Sequence, residues 1–245
     1  MTEAFDPDAI LRGLKDFQRD TVGHAFYRLF DAPDSTKRFL VADEVGLGKT
    51  MVARGVVAKT IERLRRDGVG RIDVVYICSN ADIAAQNVRK LDVAGVGAPI
   101  ASRLTLLASQ VPDMRKRNLN IVALTPGTSF EQASATGLAE ERHLLYWLLH
   151  EAWAFGGGAG PKNVLQATTR SAKVFRDHLR WFDRASIDGD IAAEFSRALE
   201  VRAAQERDRG DQTLRERFEE LCGEFAYSRK HVPHDQGMRR NTLIA

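Results

Sequence analysis

The sequence predicts an α/β protein whose second half is mostly helical, and three observations carry that expectation. An apolar run, Phe39, Leu40, Val41, Ala42, leads straight into the eight residues DEVGLGKT at 43–50 and then into helical spacing over about 50–66. Two more strand-length runs, 72–78 and 120–124, are apolar and rich in β-branched residues, and helical spacing at 80–91 lies between them. From 136 to 230 no segment requires a strand.

The first of these units names a chemistry. A strand that ends in a glycine-bearing turn and enters a helix leaves unpaired N–H groups at the positive end of the helix dipole, where phosphates bind. Gly46 and Gly48 have no Cβ, so the backbone can turn several N–H groups inward and approach phosphate oxygens closely. Lys49 is long enough to reach the β and γ phosphates, and the Thr50 hydroxyl can complete the coordination of Mg²⁺. Gly46, Leu47, Gly48, Lys49 and Thr50 are therefore the candidate nucleotide-binding residues, with Lys49 the catalytic candidate.

The loop departs from the general pattern GxxxxGK[ST], because Asp43 stands at its first position. In this form, DExGLGKT, it resembles the loop of superfamily 2 helicases and translocases, above all the Swi/Snf-like branch. That resemblance implies a RecA-like parallel sheet, of which the chain would hold the N-terminal part of the first ATPase domain, with ATP and Mg²⁺ as cofactors and DNA, or alternatively RNA, as the track. Upstream, Leu14, Phe17 and Gln18 resemble the LxxFQ element of the same superfamily, which implies that Gln18 reads the adenine edge. A primary amide offers a donor and an acceptor side by side, as adenine does.

Strand ends and the helix starts after them are where ligands collect in an open parallel sheet. Ser79 and Asn80 follow the 72–78 run, where the superfamily resemblance implies a contact to a nucleic-acid backbone, with Gln86 further along the next helix. Residues 125–130, TPGTSF, resemble a segment of some bacterial helicase-like proteins and make Thr125 a fourth nucleic-acid candidate. Read without the family, Ser79 or Asn80 is an ordinary helix N-cap, and Thr125 caps a polar turn.

The helical half reads as an insertion or subdomain in the RecA-like sheet. An apolar-rich helix over 138–155 is broken by GGGAGP at 156–161, and helices follow at about 164–182, 190–207 and 212–225. Leu214, Phe218, Leu221 and Phe225 form one stripe of the last helix, expected to be core. Arg176, Arg180 and Arg184 share one side and could face nucleic acid, although a solvated face is the commoner meaning. His231 and His234 with Asp235 invite a metal, against which stand the missing cysteine and the proline between the histidines. The expected organisation is 1–135 for the ATP-binding part, 136–235 for the helical insertion, and 236–245 for the start of a further helix.

At 245 residues and 44% hydrophobic the chain can bury a substantial core, and no apolar stretch reaches the length of a membrane span. The N-terminus MTEAFDPDAI has no secretory pattern, and Cys78 and Cys222 lack CxxC partners, which together fit reduced thiols in a cytoplasmic protein. A net charge of +3 permits nucleic acid without demanding it.

Hydrolysis in such motors uses a strand ending in Asp-Glu, the aspartate helping to hold Mg²⁺ and the glutamate orienting water. Here the only Asp-Glu pair is Asp43-Glu44, inside the loop. The expectation is that the acid, and the arginine finger of a second RecA-like domain, come from the remainder of a longer motor or from a partner subunit. The alternative is a complete ATP-binding regulatory or nucleic-acid-binding module that does not hydrolyse ATP alone.

Overall fold

The computed structural model describes residues 5–44, 46–97, 100–101, 103–125, 136–226 and 234–244. Two compact units emerge, one of residues 1–102 with 115–129, the other of residues 103–114 with 130–245.

The first unit is mixed α/β. Helix α1 (Pro7–Arg12) starts at Asp6, whose carboxylate accepts from Ala9 N, and α2 (Asp16–Phe26) runs on into a π turn, Tyr27–Asp31. Then come α3 (Lys49–Arg66), β1 (Ile72–Ile77), α4 (Ala81–Leu91), β2 (Ile100–Ala101) and β3 (Leu119–Leu124). The three strands form one parallel sheet in the order β1, β3, β2, with Ile72 opposite Leu119 and Ile77 opposite Leu124. Strand β3 is central, and Leu119 through Ala123 are buried on both faces, as the apolar sequence of a parallel strand requires.

The expected strand before the loop is absent from this sheet. Residues 39–42 lie outside it, and Leu40 is 83% exposed. Strands β1 and β3 pair directly along six residues, so no strand lies between them, and an apolar run without a ladder partner does not become a strand. The α/β class thus stands with a small sheet. Under it, Leu14, Val22 and Val52 pack α3 against α1 and α2, while Ile61, Ile72 and Leu119 pack α3 on the sheet.

The described part of the second unit is helical throughout. A 3₁₀ turn (Thr105–Ser109) and α5 (Val111–Arg115) precede α6 (Ala139–Trp153), α7 (Ala159–Gln166), α8 (Ala172–Trp181), α9 (Gly189–Asp208), α10 (Leu214–Glu224) and α11 (His234–Ile244). The expected single helix over 164–182 is two. Helix α7 ends where Ala167 takes a φ of 47°, and α8 restarts at Ser171, whose hydroxyl accepts from Val174 N. The GGGAGP stretch does more than break a helix, because Ala159, Gly160 and Pro161 form the first turn of α7, where proline's missing N–H costs no hydrogen bond.

Glycine is required at position 160: a Cβ there would stand 2.3 Å from the Cys222 carbonyl oxygen, so α7 meets the backbone of α10. Around this crossing Tyr146, Leu149, Val164, Leu165, Phe175, Phe218, Leu221 and Phe225 make one buried cluster, which takes in Phe218, Leu221 and Phe225 of the predicted stripe but not Leu214, which is half-buried at the start of α10. Burial, with the charge of Glu219 adding to it, pushes the Cys222 thiol up to about 12, so it stays an inert thiol. Arg142 is buried too and donates to the carbonyls of Leu165, Thr136 and Gly137 and to the Thr169 hydroxyl, at 2.6–2.8 Å. No helix of the described residues is long and apolar enough to cross a membrane.

Candidate nucleotide-binding site

The loop has the backbone its glycines predict. Gly46 and Gly48 take φ values of 94° and 83°, left-handed conformations that a side chain resists. Gly48 is the N-cap of α3, and no side chain caps that helix start, so eighteen residues of helix dipole end on open loop backbone. Lys49 Nζ folds back over the loop and donates to the carbonyls of Asp43 at 2.5 Å and Glu44 at 3.0 Å. An ammonium held only by neutral carbonyls exchanges readily to a phosphate, whose full charge makes a stronger acceptor. Asp43 carries a buried Oδ2 with no hydrogen-bond partner among the described residues, beside this lysine-bearing turn.

Gln18 and the loop, twenty-nine residues apart in sequence, are joined directly. Gln18 Nε2 donates to the Leu47 carbonyl at 3.0 Å, and its Oε1 accepts from Lys15 N at 3.1 Å. The amide therefore caps α2 with one end and holds the loop with the other. A Cβ on Gly48 would lie 2.6 Å from Gln18 Nε2, a second reason for glycine there. Each end of a primary amide has capacity for one more bond, so the adenine-reading role that the family resemblance implies is chemically open to it.

Thr50, in the first turn of α3, places its hydroxyl 3.4 Å from Asn87 Oδ1, and Asn87 Nδ2 lies 2.9 Å from the Tyr76 hydroxyl. Asn87 was not among the sequence candidates, although a signal existed: it sits with Ala84, Val88 and Leu91 on the packed side of α4, where a polar side chain needs a partner.

The nucleic-acid candidates are placed less tightly. Ser79 and Gln86 are exposed at the end of β1 and on α4. Asn80 Oδ1 accepts from Asp82 N at 2.9 Å and Ile83 N at 3.0 Å, making Asn80 the N-cap of α4. Thr125 is 1% exposed, directly after β3, and residues 126–130 of TPGTSF lie outside the described residues.

In the second unit, Arg176 donates to Asn163 Oδ1 at 2.8 Å, Arg184 lies 4.5 Å over the Trp147 ring, and Arg180 stands 3.9 Å from Asp177. Arg176 and Arg184 are thus engaged within the unit, while the Arg180 side chain stays 72% exposed. Residues 231–233 of HVPH lie outside the described residues, among which no group of three or more His, Cys, Asp or Glu could hold a metal ion. No protein-family model, curated protein or solved structure matches this chain.

Proposed function

We propose that this chain binds ATP with Mg²⁺ through Gly46 to Thr50, as the nucleotide-holding part of a DNA-dependent ATPase of the helicase or translocase class, its first unit being the N-terminal part of a RecA-like domain. The observation that carries the reading is the uncapped start of α3 on two left-handed glycines, with the Lys49 ammonium folded onto the same turn.

The roles follow from that geometry. The loop N–H groups and the helix dipole hold the phosphates, Lys49 trades its carbonyl partners for phosphate oxygens, and the Thr50 hydroxyl helps to hold the metal. Gln18 fixes Leu47 and so the turn, and its remaining donor and acceptor favour adenine. Bound ATP supplies the phosphoryl group that hydrolysis transfers to water. The Asp-Glu carboxylates that would orient that water, and the arginine finger, are contributed by the remainder of the motor or by a partner subunit. Ser79, Gln86, Asn80 and Thr125 are the residues proposed to lie toward the DNA.

Binding of a fluorescent ATP analogue, with competition by ATP and GTP, tests the reading. Lys49→Ala should weaken ATP by roughly ten- to a hundred-fold, the scale of a lost charge-assisted bond, and Gln18→Ala should narrow the preference for ATP over GTP. Equal affinity of the wild type and Lys49→Ala would sink it.

A further inference from the structure

The loop's threonine does not stand alone. Its hydroxyl begins a line of side chains that runs from α3 through α4 to β1, namely Thr50, Asn87 and Tyr76. Burial holds the Tyr76 phenol above its ordinary value, so it stays protonated, although the bond from Asn87 works against this. The Tyr76 oxygen accepts from Asn87 Nδ2 at 2.9 Å, which turns Asn87 Oδ1 toward Thr50. Thr50 consequently donates, at 3.4 Å, and its oxygen lone pairs face away from Asn87.

That orientation matters for a metal. A hydroxyl coordinates a cation through a lone pair, so its proton must point elsewhere, and a fixed acceptor removes the cost of turning it at the moment of binding. A metal-bound hydroxyl is also a stronger donor, so the long 3.4 Å bond is one that tightens when the cation arrives. An alanine or leucine at 87 would leave α4 packed through Ala84, Val88 and Leu91 but would leave the threonine proton undirected.

We infer that Asn87 is a positioning residue for the metal, holding the Thr50 hydroxyl with its lone pairs turned toward the Mg²⁺ that accompanies the nucleotide. The inference rests on the proposed ATP-binding role of the loop. Asn87 touches neither nucleotide nor metal. It acts through Thr50, and Tyr76 acts through it.

The test separates metal-dependent from metal-independent binding. Affinity for ATP is measured by calorimetry in Mg²⁺ and again in EDTA, and the ratio of the two is compared among wild type, Asn87→Ala, Asn87→Asp, Tyr76→Phe, Thr50→Ala and the Thr50→Ala/Asn87→Ala double variant. Asn87→Ala should reduce the Mg²⁺ advantage by roughly ten-fold, the size of one hydrogen bond to a charged site, while leaving affinity in EDTA within about two-fold. Asn87→Asp, which keeps an acceptor toward Thr50, should retain the advantage, and Tyr76→Phe should lose about three-fold. In the Thr50→Ala background Asn87→Ala should have no further effect on the ratio.

An unchanged ratio in Asn87→Ala overturns the inference, as does a fall of equal size in Mg²⁺ and in EDTA, which would mark a structural role only. A wild type that binds no ATP in either buffer would instead overturn the nucleotide reading itself.

Discussion

The two units differ in where their order comes from. The helical unit is built around a large aromatic-rich cluster in which Phe175, Phe218 and Phe225 are almost fully buried, with a smaller one at Leu144, Leu148 and Ala192. The loop-bearing unit has a three-stranded sheet, two small clusters, and Val75 and Ile77 of β1 more than half exposed. Its precision is concentrated instead in polar bonds at the loop, those of Gln18, Lys49 and Thr50. Apolar packing thus holds one unit and directed hydrogen bonds shape the loop of the other, which predicts that substitutions in the two will fail in different ways.

The largest effect is expected in the helical unit. Phe218→Ala removes a ring that is 2% exposed and touches Trp153 and Phe155, and it should lower stability by about 3–5 kcal/mol in denaturant titrations while nucleotide affinity stays put. A matching loss of nucleotide affinity in the still-folded variant would break the comparison.

His143 offers a second test in the same unit. It is 4% exposed, its Nε2 has no hydrogen-bond partner, and burial, with the His178 charge beside it, lowers its pKa to about 4. The folded state therefore binds a proton less readily than the unfolded chain, whose histidine titrates near the ordinary 6.5. Its contribution is complete above pH 6.5 and is lost as the pH falls toward 4, with about 1–3 kcal/mol at stake. His143→Phe should flatten the stability profile across that window, and an unchanged slope would show that other groups set it.

The smallest effect on stability and the sharpest on the site is expected from Gly48→Ala. The left-handed φ and the Gln18 amide 2.6 Å from the new Cβ should cost about 1–2 kcal/mol, and the displaced turn should weaken nucleotide binding at least ten-fold. Adding Gln18→Ala relieves the clash but not the φ strain, so partial recovery of stability without recovery of binding would separate the two causes.

Much of this was legible before any coordinates. The glycine spacing of DEVGLGKT forecasts positive φ because only glycine adopts it cheaply, and Phe218, Leu221 and Phe225 forecast a buried stripe because helical period is local, while Leu214 at the helix start is only half-buried. Residues 39–42 misled, because an apolar run announces burial but not the ladder partner that makes a strand, and β1 had already taken the edge of β3. The division of 164–182 escaped as well, since Ala167 has no side-chain signal for a positive φ, and the Arg142 guanidinium that takes the Leu165 carbonyl at the end of α7 comes from another helix.

What the sequence by itself determined is the loop, its helix and the residue types that can meet phosphate and metal, because these depend on neighbours in the chain. Only the tertiary structure decided that Gln18 grips Leu47, that Asn87 faces Thr50 and Tyr76, and that Gly160 lies on Cys222, because each joins residues far apart in sequence through a distance of a few ångströms. A local pattern can name a donor; the fold chooses its acceptor.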